Sequence, residues 1–365
     1  MSSLFEPLTL RSLSIPNRAW MSPMCQYSAA SDGPDAGVPT DWHFAHLAAR
    51  SLGGVGLIMV ESTAVSPDAR ISTTDLGLWN DRQVEMFSRV NHFLADQGTV
   101  PGVQLGHAGR KASTDAQWLG ARPVPPHEGG WPVVGPTAEA VAPGYPVPAE
   151  LTAEQIRGIV ADFAAAARRA LAAGFKVVEV HGAHGYLIHS FLSPHTNRRT
   201  DGYGGGFAGR ARLALEIVEA VRGVWPDGLP VFFRTSATDW LTENPEDERT
   251  GWTVEDTIAL TKELAARGVD LVDVSTGGLV PDAVIRTGPG YQVPFAEQVK
   301  RATGMPVATV GEITEPAQAE RIVASGTADA VLLGRELLRD ADWVRRAAVE
   351  LGVEPAWPLQ YGWAV

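Results

Sequence analysis

Eight short apolar or β-branched runs recur along the chain, with amphipathic stretches of helical period between them, and few folds accept that alternation. The runs fall at residues 19–22, 56–61, 100–105, 177–181, 231–235, 271–275, 307–310 and 330–333. The helical stretches fall at 41–51, 81–97, 152–173, 209–224, 253–267, 294–303, 316–325 and 342–351. Thr152 with Gln155 makes a capping-box pattern, and Thr253 with Asp256 resembles one. Gly174 and Gly268 each follow a helical stretch, where a left-handed residue is wanted. Eight such units predict an α/β fold of the (β/α)8 barrel type. A doubly wound open sheet is the alternative, but it usually puts phosphate-binding glycines after its first strand. Here the first run leads into Ser22-Pro23-Met24-Cys25.

A chain of 365 residues, 45% hydrophobic and 20% charged, has room for such a barrel with insertions, so a single domain over 1–365 is expected. The segment 106–149, rich in Pro, Gly and Trp, is too long for an ordinary connection after the third strand. It reads as a loop covering an active site. The formal charge of −12 offers no basic stretch for nucleic acid or an anionic membrane, so a small-molecule substrate is expected. Cys25 is the only cysteine, which excludes an intramolecular disulfide, a Cys-ligated cluster and a multi-Cys zinc site. Glu6, Arg11 and Pro16 interrupt the apolar residues of 1–18, and runs such as 57–60 are far too short to cross a bilayer. A soluble cytoplasmic protein is the expectation.

Barrels of this kind carry their chemistry at the C-terminal ends of the strands. The residues there are Cys25 and Tyr27, Ser62, Gln104 and His107, His181, His184 and Tyr186, Arg234, Gly311, and Gly334 with Arg335. His181-Gly182-Ala183-His184-Gly185-Tyr186 is the most informative, since two imidazole N–H groups can hold a carbonyl oxygen and a phenol can deliver a proton. Two other readings stay open for the histidines: metal ligands, with His107 or His43 as a third, or structural strand caps. Glycines at 311 and 334 suit phosphate held by backbone N–H groups, though glycine after a strand is also an ordinary turn residue. Arg234 at a strand end calls for an anion or polarised acceptor, such as a flavin ring, or for an internal salt bridge. Gly204-x-Gly206-x-x-Gly209 formally matches a dinucleotide fingerprint, but it follows a polar stretch where a strand is required. Of the lysines suited to a Schiff base, Lys176 begins its strand at the wrong end, and Lys111 follows a Gly-Arg pair that reads as solvated.

With these residues in view, the chain resembles the old yellow enzyme family, in its bacterial, thermophilic-like ene-reductase branch. The motifs are Phe5-Glu6-Pro7, Ser22-Pro23-Met24-Cys25-Gln26-Tyr27, Val103-Gln104-Leu105-Gly106-His107-Ala108-Gly109-Arg110-Lys111, the 181–186 turn, 197–205, and Gly334-Arg335-Glu336-Leu337-Leu338. The resemblance implies FMN, with NADPH or NADH as hydride donor and an enone-type or nitroalkene substrate. It implies that Ser22, Pro23, Met24 and Cys25 flank the FMN, and that Ser62 and Gln104 lie against its ring. It sets Arg234 near N1, and Gly311, Gly334 and Arg335 around the phosphate. It further implies that His181 and His184 bind the substrate carbonyl, that Tyr186 is the proton donor, that Tyr27 lines the pocket, and that Cys25 tunes flavin and pocket. No metal is implied.

Two departures stand out. Gly206 and Gly209 occupy positions where the family often has Ser and Asn. Relatives in the branch often insert a C-terminal arginine or tryptophan into a neighbouring subunit, which implies a homodimer or homotetramer. No arginine follows Arg346, so Trp363 or Tyr361 would serve, or the aromatic tail packs on its own barrel. A metal-dependent barrel hydrolase and a flavin-binding protein without turnover are the competing functions. The physiological alkene and the choice of nicotinamide are left open.

Overall fold

The computed structural model describes residues 2–365. The strands in chain order are β1 (Leu8–Leu10), β2 (Leu13–Ile15), β3 (Ala19–Met21), β4 (Leu57–Ala64), β5 (Val100–Gly106), β6 (Val134–Gly135), β7 (Ala149–Glu150), β8 (Val177–Gly182), β9 (Val231–Ser236), β10 (Leu271–Ser275), β11 (Val307–Thr309) and β12 (Ala330–Leu333). Eight of them, β3, β4, β5 and β8 to β12, form a closed parallel barrel in chain order, sealed where β12 pairs with β3 through Val331 to Ala19 and Leu333 to Met21. The eight expected strands are all present, within about three residues at each end.

Around the barrel run α1 (Asp41–Leu52), α2 (Arg82–Asp96), α3 (Ala153–Ala172), α4 (Leu187–Leu192), α5 (Phe207–Arg222), α6 (Val254–Ala266), α7 (Val293–Thr303), α8 (Pro316–Ala324), α9 (Arg335–Arg339) and α10 (Trp343–Glu350). Both expected capping boxes form: Thr152 Oγ1 accepts from Gln155 N at 3.2 Å, and Thr253 Oγ1 from Asp256 N at 3.3 Å. Gly174 and Gly268 take the left-handed conformation after their helices, with φ of 88° and 85°. Two short helices, α4 and α9, were not anticipated, because each is a single turn or little more and leaves no helical period in the sequence. Helix α5 begins two residues earlier than expected and follows a loop, so the Gly204–Gly209 pattern has no strand before it.

Alternation along the strands sorts the core into two layers. One set of side chains faces the helices, including Val178, Val180, Phe233, Val272 and Val274. The other set fills the bottom of the barrel: Trp20, Leu57, Met59, Val177, Phe232, Leu271, Ala308 and Leu332, with Trp20 stacked on Phe232 at 5.9 Å. The β1–β2 hairpin closes this end, since Leu10 and Ile15 join the same cluster. Segment 106–149 follows β5 as expected; it is built of short 3-10 turns and the brief β6, whose partner is β7. Among the described residues, no helix is long and apolar enough to cross a membrane.

The capping box of α3 yields a stability test. Thr152→Ala removes the acceptor for Gln155 N–H and should lower the unfolding free energy by about 1 kcal/mol. Urea unfolding followed by circular dichroism measures it, and an unchanged midpoint would show that the cap contributes nothing.

Candidate active site

Two residues further up each strand, the inward face of the barrel turns from apolar to polar. Above Trp20 stands Ser22, above Val177 stands Glu179, above Phe232 stands Arg234, and above Leu271 stands Asp273, whereas the register of β4 shifts after Val60 and its Glu61 lies 3.8 Å from His43 of α1. Gln104 joins this layer from β5, paired in register with Glu179. All six are buried. Arg234 Nε lies 3.2 Å from Asp273 Oδ2, and its Nη1 donates to Ser22 Oγ at 3.2 Å. The internal salt bridge considered for Arg234 therefore exists. Gln104 donates its amide N–H to Glu179 Oε1 at 2.8 Å, which turns its carbonyl oxygen away from Glu179. Burial, then the Asp273 charge, pushes the Glu179 carboxyl up to about 8.

One layer higher the end of β8 carries the imidazole pair. The His181 ring centroid is 5.2 Å from that of His184 and 5.1 Å from that of Tyr186, both edge-on. His181 Nδ1 accepts from Ala183 N at 3.3 Å, so the neutral ring carries its proton on Nε2. His184 Nε2 is 2.8 Å from Ser275 Oγ. The Ser275 hydroxyl donates to Gln292 Oε1 at 3.1 Å, so in this pair His184 Nε2 carries the proton and donates to Ser275 Oγ. Burial, followed by the Arg234 charge, holds both imidazoles well below their usual range, so they are neutral N–H donors. Burial raises the Tyr186 phenol well above its usual value, and it remains protonated at neutral pH.

The turn that presents these rings is tightly held. His184 and Gly185 adopt φ of 59° and 74°. A Cβ on Gly185 would sit 2.3 Å from Gly278 O, so the turn and the loop after β10 touch through bare backbone. Lys111 Nζ donates to the carbonyls of His184 and Gly278 at 2.8 and 2.9 Å, and it stands 5.2 Å from the Tyr186 ring centre. This corrects the reading of Lys111 as solvated: Arg110 beside it is buried and donates to Leu279 O, and burial pulls the Lys111 amine down to about 8. Beneath the turn, His189 Nδ1 accepts from Gly185 N at 2.9 Å, and its Nε2 faces Asp239 Oδ1 at 2.8 Å. Asp239 Oδ2 accepts from Ser193 Oγ and Trp252 N.

Across from the histidines, Cys25 and Tyr186 pack against one small apolar cluster of Ile71, Ala108, Ala112 and Val133. Burial and the carboxylates of Asp75 and Glu61 raise the Cys25 thiol well above its ordinary value, which keeps it from acting as a thiolate. Ser62 backbone points at the Cys25 sulfur. Tyr27 meets Trp118 of the covering segment edge-on at 5.6 Å. His43 is not beside the other histidines: it sits in α1, its Nδ1 accepting from Thr40 N and its Nε2 3.8 Å from Glu61. His107 Nδ1 accepts from Gly109 N. Among the described residues, no group of three or more His, Cys, Asp or Glu side chains is placed to hold a metal ion.

A cavity of about 440 Å³ runs from Arg234 and Ser275 to Gly311, Gly334 and Arg335. A Cβ on Gly334 would meet only Met24 Sδ at 3.8 Å, which places the first-strand flank beside this end. The residues suit FMN: open backbone at Gly334 beside an exposed Arg335 for a phosphate, and a buried guanidinium at Arg234. Trp363 is 87% exposed and lies apart from these groups in its own chain, while Trp357 stacks under Arg345 at 4.1 Å. Sequence reasoning missed Glu179, Asp273, Ser275, Gln292 and the His189–Asp239 pair. Charges at alternate positions of a buried strand, as in Glu179 and Asp273, were the available signal. Gln292, which accepts from Ser275 Oγ and Thr276 Oγ1, precedes a helix and gave none.

The family model described as NADH:flavin oxidoreductase / NADH oxidase matches residues 3–354. The chain is 46% identical over 374 residues to an NADH:flavin oxidoreductase of Gibberella zeae, covering 100% of this chain and 89% of that protein. It is 45% identical over 361 residues to an NADPH dehydrogenase of Listeria welshimeri, covering 99% and 98%. Among solved structures it is similar to the old yellow enzyme homologue of Zymomonas mobilis, with a TM-score of 0.77 at 25% identity over 98% of each chain.

The buried anchor below the turn yields a test. Asp239→Leu strands the His189 Nε2–H, the Ser193 hydroxyl and the Trp252 N–H, each at a cost of about 1 to 3 kcal/mol. The unfolding free energy should fall by at least about 3 kcal/mol in denaturant titration. A fall below about 1 kcal/mol would show that the turn is held by other means.

Proposed function

The chain belongs to the NADH:flavin oxidoreductase / NADH oxidase family, and from that premise we propose that it reduces carbon–carbon double bonds conjugated to a carbonyl or nitro group. It is an NAD(P)H-dependent flavin oxidoreductase whose cofactor is FMN. The observation that carries the substrate class is the cluster of His181, His184 and Tyr186 at the end of β8, directly above a buried guanidinium.

FMN, when bound, supplies a two-electron shuttle between the nicotinamide and the substrate's β-carbon. Ser22, Pro23, Met24 and Cys25 would flank it, Ser62 and Gln104 would face its ring, and Arg234 would offset charge at the N1 edge. Gly311, Gly334 and Arg335 would hold its phosphate. His181 Nε2–H would donate to the substrate's carbonyl oxygen, with the His184 imidazole beside it. A neutral donor there is worth about 3 kcal/mol to the developing enolate in a dry site. Tyr186, kept protonated by burial, donates its phenolic proton to the α-carbon. Tyr27 lines the pocket, and Cys25 shapes it as a thiol.

The whole chain would act as one FMN-binding domain. The exposed aromatic tail suits a homodimer or homotetramer in which Trp363 or Tyr361 completes a neighbour's pocket. Its single cysteine suits a reducing cytoplasm as its place of work.

Anaerobic NADPH should bleach the yellow protein, and cyclohexenone should then restore the colour; a protein that stays bleached is a binder without turnover. Tyr186→Phe should slow recolouring by the enone about 10²- to 10⁴-fold while leaving bleaching nearly unchanged. Equal losses in both steps would remove the proton-donor role.

A further inference from the structure

The polar layer beneath the histidines holds more acid than base. Glu179 and Asp273 share this buried layer with a single guanidinium, that of Arg234. Arg234 faces Asp273 at 3.2 Å, whereas among the described residues the only hydrogen-bond partner of Glu179 is the neutral amide of Gln104. Glu179 Oε2 and both oxygens of Asp273 are buried without a hydrogen-bond partner among the described residues. Two ionised carboxylates against one cation would leave an uncompensated buried charge, which costs several kcal/mol. Taking up one proton removes that cost. Asp273 has the guanidinium, so Glu179 is the group that takes it.

We propose that Glu179 is a positioning residue that couples uptake of a solvent proton to reduction of the bound flavin, acting through the Gln104 amide. When Glu179 is ionised, it accepts the Gln104 N–H, as observed, and the Gln104 carbonyl oxygen is the end turned away from the carboxylate. When Glu179 is protonated, its own O–H needs an acceptor. The Gln104 oxygen supplies it once the amide turns over, and the NH2 then takes the place the oxygen held. Two-electron reduction gathers negative charge at the N1 and C2-carbonyl edge of a flavin, which an N–H donor favours and a carbonyl disfavours. One hydride from the nicotinamide brings both electrons, and one solvent proton on Glu179 offsets the added charge. The proposal rests on the reading above that places the flavin against Gln104 and Arg234.

The groups acting on Glu179 are few. From β5 it faces Gln104, from β9 Arg234, and from the next strand along, β10, Asp273. Glu61 of β4 acts on Cys25 and Asp75, and Lys111 acts on the histidine pair. Burial followed by Asp273 raises Glu179 to about 8, with Arg234 and Gln104 opposing.

The test is the midpoint potential of the bound flavin as a function of pH. In the wild-type holoenzyme its slope should roughly double above about pH 8, where the oxidised form has lost the Glu179 proton and reduction restores it. Glu179→Gln should show one slope throughout. Asp273→Asn leaves Arg234 free to pair with Glu179, and the break should move to lower pH. A single slope in the wild type, a break that survives in Glu179→Gln, or a break abolished by Asp273→Asn would each overturn the proposal. Should Glu179→Gln not retain flavin, reduced-minus-oxidised infrared spectra of the wild type at high pH decide: a carboxylic acid band must appear on reduction and shift in D2O, and its absence rejects the coupling. Gln104→Leu separates the two levels. A potential and FMN affinity left unchanged would sink the placement of the flavin, whereas a shifted potential with a single wild-type slope sinks the proton coupling alone.

Discussion

A guanidinium buried inside a barrel has to be answered by charge or by donors' partners, and the upper half of this molecule is arranged around Arg234. Below it the inward side chains are apolar and close-packed; from its level upward they are polar on strand after strand. Asp273 answers it from β10 and Ser22 from β3, so one interaction ties together strands on either side of the barrel seam. Its field also reaches the histidine pair, where it adds to burial in keeping both imidazoles neutral. Removing that cation would free two buried carboxylates from their only compensation and release the histidines from one of the causes of their neutrality.

The architecture was legible because a parallel barrel repeats its signals. Eight apolar runs, each bracketed by turn residues and followed by a stretch of helical period, leave little choice, and the Thr152 and Thr253 caps fix where two of the helices start. The site was legible for a related reason: chemistry in such a barrel gathers where the strands end. His181, His184 and Tyr186 lie within six residues of one another in sequence, and the structure gathers their rings at about 5 Å centroid separations.

What escaped the sequence depends on pairings between distant residues. Lys111 looked solvated because its neighbours in sequence are Arg110 and Gly109, yet the carbonyls it binds belong to His184 and Gly278. Ser275 and Gln292 matter only because β10 brings the hydroxyl beside the His184 ring. The short helices α4 and α9 are fixed by what they pack against; within α4 every residue is buried, which erases the amphipathic period by which a helix is recognised. Glu179 and Asp273 were visible as charges in apolar runs, but whether such a residue points to helices or to the barrel axis follows from register alone.

Burial acts on every titratable group at the mouth in one direction, toward the neutral form. It lowers the imidazoles of His181 and His184 and the amine of Lys111, and it raises the phenol of Tyr186 and the thiol of Cys25. The imidazoles, the phenol and the thiol thus offer hydrogen-bond donors without carrying charge themselves. That combination suits a reaction in which charge develops only on the way to the product, since neutral donors gain more from a forming oxyanion than from a resting carbonyl. A charged imidazolium would bind a resting carbonyl more tightly and compete with the phenol in the proton-donor role proposed for it. In the proposed reaction the acid–base work falls to Tyr186, whose neutral form holds a transferable proton, and the remaining question of charge is handed down to the layer below, where Arg234, Asp273 and Glu179 settle it among themselves.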